Sequence, residues 1–404
     1  MRIRSGRATV TGAQQFQRAA GARPHSSSTY LSTGRESPVR RPPHDPVDLT
    51  APNRLRSLTF GRRPPVTVVV LILLGLLVPS AVLGAAFGAE PIPVSTVVDV
   101  LLARITGDGS VPRSLDTIVW ELRLPRTVLA IVVGAGLALA GAAMQTLVRN
   151  PLADPYLLGV SSGAGVGAAA VLTTGAFAAA GVWALSAGAL VGALTAGALV
   201  LLVALAQGGL TPLRLVLTGT VLGASFSSLS SYLVFRSSDP AAAQSVLFWL
   251  LGSLAGADRN RLLLPTVTVL ACGLILLALS GWLDALMLGP DSAGSLGVPV
   301  RWLRLGLFVL LAVLVGVLVA VSGGIGFVGL VVPHIARLLV GPKHRILLPT
   351  AALCGALLLV WVDIGTRILA RPAEIPVSVL TGLIGAPIFL AVMGRRRYRF
   401  GGVT

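Results

Sequence analysis

The chain has 404 residues, of which 54% are hydrophobic and 12% are charged, whereas soluble globular proteins contain about 25% charged residues. This composition excludes an ordinary soluble enzyme and a disordered protein, and it indicates an all-α polytopic membrane protein. The net charge of +17 is concentrated at the ends, with +9 on residues 1–63 (12 Arg, three acids) and +4 on residues 395–404 (four Arg). This distribution argues against a nucleic-acid-binding surface, which needs basic residues clustered on one folded face.

The first 63 residues are rich in Arg, Ser, Gly, Gln and Pro and contain no sustained apolar run. Such a segment cannot bury enough apolar surface to offset its ordering entropy, so we expect a disordered, basic, cytoplasmic tail over 1–63. The apolar stretch that begins near Pro65 is long enough to span a bilayer, which favours a retained first helix over a cleaved leader. A transmembrane domain over 64–396 and a short cytoplasmic tail over 397–404 follow.

Ten segments are apolar enough, at about 20 residues each, to be predicted as membrane-spanning helices. In chain order they are 65–88, 126–147, 157–176, 181–206, 213–235, 262–281, 302–321, 325–340, 348–369 and 376–393. A further apolar run at 245–256 has only 12 residues, and we expect it to be interfacial or re-entrant.

Arginine-rich flanks favour the cytoplasm, so both termini are expected there, which an even number of spans allows. The loops add no support, because nine arginines would lie outside and seven basic residues inside. The outer arginines therefore need an explanation of their own.

A faint internal repeat suggests two inverted five-helix halves, an arrangement common in transporters. The motif VLTG occurs at 216–219 and again at 379–382. Three residues also recur with a shift of 182: Gly134, Gly141 and Pro151 as Gly316, Gly323 and Pro333. Chance in a chain rich in Gly, Leu and Val is the alternative.

The sequence offers little for catalysis or metal binding. Cys272 and Cys354 lie in separate apolar runs, and the four histidines have no metal-ligand spacing. The chain has no G-x-x-x-x-G-K-[ST] loop, so it is not expected to bind ATP in the P-loop manner. We expect no catalytic residue, metal ligand or cofactor in this chain.

One segment is far more informative. It contains RLPR at 123–126, AGAAMQ at 140–145, RNPLADP at 149–155 and LGVSSGA at 158–164, in that order. Later blocks are FWLLGSLAG at 248–256, SLGVPVRWLR at 295–304, GGIGFVGLVVPHIARLLVG at 323–341 and PVSVLTGLIGAPIFL at 376–390. Over about 65–396 the chain resembles the FecCD family, the permease subunits of ABC importers for ferric siderophores, haem and cobalamin.

The resemblance implies a ten-helix, multi-pass permease in the bacterial cytoplasmic membrane. It would work as a homodimer, or as a heterodimer with a paralogous permease, and substrate would pass along the dimer axis beside the fifth helix. Two separate ATPase subunits would supply ATP and Mg²⁺, and an extracytoplasmic binding protein would dock on the other side. A ferric siderophore is the expected cargo, with cobalamin and haem as alternatives. Anionic membrane lipid is expected at the basic tails, and no nucleic acid.

An ion-coupled secondary transporter is the alternative of a different class. It would need carboxylates on broken helices as ion sites, and Asp363 is almost the only acid within the predicted spans. Because Arg367 lies four residues on, a structural ion pair on one helix is the better interpretation of Asp363.

Family members pair outer-face arginines with glutamates of the binding protein, and the matching positions here are Arg123, Arg126 and Arg367. An exposed Arg–carboxylate pair is worth about 0–1 kcal/mol, so several would orient a partner more than hold it. Snorkelling of these side chains to the membrane interface is the alternative.

The loop 286–300 matches the segment that, in the family, sits in a cleft of the ATPase and transmits its closure. An ordinary connecting loop is the alternative. Asp291 is the acid nearest to the family's acidic position. The candidate coupling residues are Gly289, Asp291, Ser295, Leu296, Gly297 and Val298.

The fifth predicted span is rich in hydroxyl groups. Ser227 and Ser231, at i and i+4, share a face, and Ser228 is adjacent. Such a face would line a path for a large polar chelate without binding it tightly, and hydrogen bonding between helices explains it equally well. Thr211, in the loop before this span, matches the position of the family's cytoplasmic gate.

Overall fold

The computed structural model describes residues 65–88, 90–107 and 111–394, with side chains described as far as residue 391. The tails predicted at 1–63 and 397–404 lie outside these residues. The described ranges contain helices and no strand. The α-helices are α1 (Val66–Ala86), α2 (Val94–Thr106), α3 (Arg113–Thr117), α4 (Leu124–Val148), α5 (Val160–Thr174), α6 (Ala184–Ala206), α7 (Pro212–Arg236), α8 (Pro240–Leu250), α9 (Arg259–Ala278), α10 (Ser280–Leu288), α11 (Pro290–Ser295), α12 (Val300–Ser322), α13 (Val328–Val340), α14 (His344–Ile368) and α15 (Val377–Gly394).

Ten of these helices coincide with the ten predicted spans. Seven are long and apolar enough to cross a membrane by themselves: α1, the continuous helix that ends in α4, α6, α7, α9, α12 and α14. The helices α5 and α13 and the described part of α15 are apolar but shorter. The all-α architecture with about ten spans is therefore confirmed.

Side-chain contacts define two ends of the helical bundle. The Arg126 end contains the start of α4 and the end of α14, which Arg126 joins through Asp363. The His344 end contains the end of α4, the helix α10 and the start of α14, which the His344 side chain joins. Successive spans run alternately between these two ends.

The helix α4 forms the centre of the bundle, since it buries 21 of its 25 residues, whereas α1 buries five of 21. Its small residues allow backbone contact with neighbouring helices. A Cβ added at Gly134 would lie 2.2 Å from the carbonyl oxygen of Gly355 in α14, and a Cβ at Gly141 would lie 1.9 Å from that of Gly329 in α13. Because lipid tails compete equally for apolar surface, such close approach is what holds membrane helices together.

The helices α5 and α13 both begin inside the bundle. At 15 and 13 residues they extend only about 20 Å, which is less than the hydrocarbon thickness of about 30 Å. The start of α13 packs beside Gly141, and the turn before α5 packs beside Gly219 of α7, each part-way along its neighbour. Each helix therefore completes a crossing that an irregular segment begins.

Two side chains satisfy the irregular backbone at 323–327. The Tyr156 hydroxyl donates to the Ile325 carbonyl at 3.0 Å and accepts from the Ile325 N–H at 2.9 Å. The Ser378 hydroxyl donates to the Gly324 carbonyl at 2.6 Å and accepts from the Gly326 N–H at 3.3 Å. Non-helical backbone at membrane depth requires such internal partners.

Short helices at the Arg126 end complete the fold. The helix α7 ends at the Arg126 end, and α9 begins there, so α8 and the turn after it start and finish at the same end of the bundle. This agrees with the re-entrant interpretation of 245–256. The helices α2 and α3 were not predicted from the sequence. One face of α2 packs through Val97 and Val100 against Ala85 and Ala86 of α1.

The 182-residue repeat is wrong as a structural register. Gly141 lies inside α4, whereas Gly323 ends α12 with a φ of 66°. Likewise Pro151 lies in the turn after α4, whereas Pro333 lies inside α13. The two VLTG motifs do correspond, since both lie in the first turns of the last helix of each half, α7 and α15.

Candidate functional site

A charged network occupies the Arg126 end. Arg126 Nε donates to Asp363 Oδ1 at 2.9 Å, and its two terminal nitrogens donate to the two Glu374 carboxylate oxygens at 2.9 Å each. Arg367 Nη2 lies 2.8 Å from Asp363 Oδ2, in charge contact but outside hydrogen-bond geometry. The expected structural pair Asp363–Arg367 is therefore present, and Arg126 and Glu374 extend it to two cations and two anions.

Two arginines at this end, Arg367 of the network and Arg123, also hold the end of α1. Arg367 donates to the carbonyls of Gly84 at 2.9 Å and of Phe87 at 2.6 Å. Arg123 donates to the carbonyls of Ala85 and Ala86 at 3.2 and 2.7 Å. The last carbonyls of a helix lack partners within the helix, so guanidinium groups supply the missing donors here.

This geometry differs from the exposed docking arginines expected from the sequence. The side chains of Arg126 and Arg367 are only 10% and 5% exposed, because carboxylates and carbonyls of the same chain surround them. Neither offers a free guanidinium face to a partner in this conformation. Docking by Arg123, Arg126 and Arg367 stays a prediction, to which the structure adds an internal role for each residue.

Other arginines at this end pack on aromatic rings. Arg104 and Arg259 lie 5.4 and 4.4 Å from the Trp120 ring centroid, on which guanidinium groups are attracted electrostatically. Arg104 also pairs with Asp116, and Arg261 lies 5.6 Å from the Trp183 ring. Aromatic rings are typical of membrane interfaces, so these contacts explain part of the surplus of arginines that the loop count left open.

A pocket of about 280 Å³ adjoins the charged network. Arg126, Phe248, Thr366 and the segment 373–377 line it. Glu374 forms part of its wall, and the side chain of Glu374 is 44% exposed. The carboxylate of Glu374 is thus the member of the network that solvent and other molecules can reach.

The helix α7 exposes a row of hydroxyl groups along the half nearer the Arg126 end. Ser225, Ser227, Ser228 and Ser231 are all exposed, whereas Ser230 is buried and donates to the Gly165 carbonyl of α5 at 3.4 Å. Ser228 and Ser231 donate to carbonyls one turn earlier in their own helix. Their donors are therefore used, and the row presents mainly oxygen acceptors.

The other half of the same face is apolar, with Leu213, Leu217 and Val221 more than half exposed. Thr211 caps the start of α7, since its hydroxyl accepts from the Arg214 N–H at 3.4 Å. The structure thus gives Thr211 a local role as a helix cap, and its role as a gate stays a prediction.

The segment 289–298 forms a compact turn of helix at the His344 end. Gly289 has a φ of 121° and Gly297 a φ of 79°, and α11 lies between them. Asp291, Ser295 and Leu296 are exposed, and Leu296 is 65% exposed despite its apolar side chain. Val298 differs from expectation, because it is only 6% exposed and its N–H bonds back to the Ala293 carbonyl. Val298 therefore anchors the segment and does not face a partner.

A buried histidine adjoins this segment and was missed in the sequence. His344 Nδ1 lies 2.6 Å from Asp284 Oδ1, and Nε2 lies 2.7 Å from the Thr146 hydroxyl. An acid within the apolar stretch GWLDALML at 281–288 was the available signal for Asp284. Its partner is 60 residues away, which no local pattern reveals.

The comparisons with known proteins decide the family. The model of the FecCD transport family matches residues 68–395. The chain belongs to the FecCD transport family. It is a permease subunit of an ABC importer, with a multi-pass location in the inner membrane.

Several relatives of this FecCD permease are importers of different cargo. It is 43% identical over 286 residues to the vitamin B12 import system permease protein BtuC of Vibrio cholerae, covering 69% of this chain and 83% of the relative. It is 39% identical over 317 residues to the molybdate import system permease protein MolB of Haemophilus influenzae, covering 78% and 91%. A solved structure described as a metal-chelate type ABC transporter in an inward-facing conformation has 35% identity and a TM-score of 0.72, covering 82% of this chain and all of that one.

Proposed function

We propose that this FecCD permease imports a metal chelate, with a ferric siderophore as the first candidate, driven by ATP hydrolysis on separate subunits. The observation that carries the proposal is the exposed hydroxyl row on α7, with Ser227, Ser228 and Ser231 at its centre. If this row faced lipid, its polar oxygens would lie in hydrocarbon, which is unfavourable. A water-filled path accommodates it, and uncharged acceptors suit a large polar cargo that must be released again.

The proposed path requires a second permease chain. The hydroxyl row lies on the surface of one copy, so a second copy facing it would close the path between them. We propose a homodimer as the working assembly; a paralogous permease in place of the second copy is the alternative. Thr211 and the apolar half of the α7 face would then lie at the narrow end of this path.

The proposed orientation places the Arg126 end outside and the His344 end in the cytoplasm. The arginine-rich termini support this orientation. Gly289 is buried, whereas the exposed residues Asp291, Ser295, Leu296 and Gly297 would then face the cytoplasm. We propose that the ATPase docks there, with Leu296 as the apolar contact.

Binding-protein docking at the Arg126 end would proceed by exchange of partners. Arg126 is already paired with both oxygens of Glu374, so an incoming carboxylate would have to replace Glu374. Arg123 and Arg367 donate to carbonyls of α1, and they would need to release these bonds as well. The exposure of Glu374 beside the pocket makes Arg126 the first position for such an exchange.

Cobalamin is the second candidate cargo. Permeases of vitamin B12 import systems are 41–43% identical to this chain over 281–290 residues, and this similarity favours a corrinoid as the alternative chelate. Both candidates are large, polar and carried intact, so the α7 surface serves either.

Reconstitution tests the proposal directly. The full chain is assembled in proteoliposomes with a candidate ATPase and a candidate binding protein, and uptake of radiolabelled ferric hydroxamate, cobalamin and molybdate is measured. ATP-dependent uptake of a ferric siderophore is expected. Uptake of cobalamin alone would favour the second candidate, and uptake that persists with a hydrolysis-inactive ATPase would favour a secondary transporter.

A further inference from the structure

We infer that the Asp284–His344–Thr146 contact is a positioning link that transmits movement of the α10–α11 segment to the helix pair α4–α14. The inference rests on the proposed function, since it gives a purpose to the segment proposed to dock the ATPase. It assigns that purpose to three side chains that contact neither the proposed cargo path nor the exposed part of the docking segment.

Three helices meet at the His344 side chain. Asp284 Oδ1, on α10, accepts from the His344 backbone N–H at 3.0 Å and lies 2.6 Å from ring Nδ1. Because an ionised carboxylate only accepts hydrogen bonds, this contact places a proton on Nδ1. On the other side of the ring, Nε2 lies 2.7 Å from the hydroxyl of Thr146 on α4. The imidazole is 1% exposed, whereas the Asp284 side chain is 41% exposed, so protein groups enclose the ring while the carboxylate that holds it also reaches the surface.

The cap on α14 differs from the caps on neighbouring helices. Asp239 and Asp258 each accept from the N–H two residues on, within the first turn of the helix that they precede. The residue before α14, Lys343, makes no such side-chain bond. Asp284, 60 residues earlier, supplies the acceptor instead. A cap taken from another helix joins the two helices as well as satisfying a donor.

The helix α10 connects the exposed segment α11 to the first residue of α14. The helix ends at Leu288, and a single residue, Gly289, separates it from α11. Ala293 of α11 is fully buried, and its carbonyl accepts from the N–H of Val298. Movement imposed on the exposed residues of α11 therefore displaces α10 and, through Asp284, the first residue of α14.

Beyond the link, α14 and α4 form one unit as far as the Arg126 end. Their backbones touch at Gly134 and Gly355, and Arg126 joins them again through Asp363. At 25 residues, α14 extends about 37 Å. A contiguous chain of packed and hydrogen-bonded groups thus connects both ends, and networks of this kind can carry coupling over such a distance.

The test uses the full importer complex in proteoliposomes and measures substrate imported per ATP hydrolysed. Asp284→Ala is expected to lower this ratio about fivefold or more while the ATPase still co-purifies with the permease. Asp284→Asn keeps an acceptor oxygen for both N–H donors and is expected to restore most of the ratio. Asp258→Ala, which removes a cap confined to α9, is the matched control and should leave the ratio unchanged.

The double variant Asp284→Ala with His344→Gln should import no less substrate per ATP than the more impaired of the two single variants, because both changes break the same link. A ratio for Asp284→Ala equal to that of the Asp258→Ala control would overturn the inference, as would fully additive losses. If Asp284→Ala fails to fold, Thr146→Val removes only the α4 contact, and an unchanged ratio in that variant is equally decisive against the link. Failure of the unmodified chain to bind an ATPase or to import with ATP would overturn the proposed function itself.

Discussion

Replacing Asp363 with asparagine is expected to destabilise the fold far more than replacing another paired aspartate. The carboxylate of Asp363 is 1% exposed and lies 2.9 and 2.8 Å from nitrogens of Arg126 and Arg367. In the Asp363→Asn variant, Arg126 keeps Glu374, whereas Arg367 keeps only backbone carbonyls. One buried guanidinium is left without an anion.

The magnitude follows from that stranded cation. At an effective dielectric of about 20, each contact contributes ~6 kcal/mol of attraction before desolvation. Removing one partner of a buried pair costs about 3–5 kcal/mol, because the desolvation penalty of the other remains. The pair Arg104–Asp116 has side chains 44% and 25% exposed, so Asp116→Asn is expected to cost at most ~1 kcal/mol.

Unfolding of the purified permease by SDS in mixed micelles, followed by tryptophan fluorescence, measures both variants. Adding Arg367→Gln to Asp363→Asn should recover part of the lost free energy, since it removes the stranded charge. A free energy of unfolding for Asp363→Asn that lies within ~1 kcal/mol of Asp116→Asn would refute the reasoning.

Three further predictions follow from packing and from the path. Gly134→Ala should lower the free energy of unfolding by about 1–3 kcal/mol through overpacking. The control Gly75→Ala, where a Cβ meets nothing within 4 Å, should be neutral or stabilising. Equal effects of the two changes would contradict the backbone contact. Tyr156→Phe should cost about 1–3 kcal/mol by leaving the Ile325 backbone unsatisfied, and an unchanged unfolding midpoint would contradict it. Ser228→Leu should lower ATP-dependent uptake at least ~tenfold without weakening binding-protein pull-down, and normal uptake would remove α7 from the path.

The spans were predictable because bilayer thickness sets the length of an apolar run, and each run can be counted along the chain. The short helices were harder. The crossing through α13 depends on irregular backbone that is stabilised by Tyr156 and Ser378 from distant segments. The sequence indicated a weak span at α5 and at α13 but not where the helix would begin.

The charged network was only half predictable. The i and i+4 spacing of Asp363 and Arg367 revealed their ion pair, because both residues lie on one helix. Arg126 and Glu374 are 248 residues apart, and nothing local connects them. Their pairing is what buries Arg126, so its burial was equally hidden from the sequence.

The long stretch of chain between Arg126 and its partner Asp363 matters during biosynthesis. The first turn of α4 holds Arg126, and Asp363 is translated 237 residues later. At about 5–20 residues per second, the ribosome needs roughly 12–50 s to supply that carboxylate. Throughout this interval the second span has an uncompensated guanidinium near the bilayer, and for most of it Gly134 lacks its partner Gly355. The ion pair between Arg126 and Asp363 can therefore form only once the ninth span has been made, so the second span reaches its final place late in synthesis.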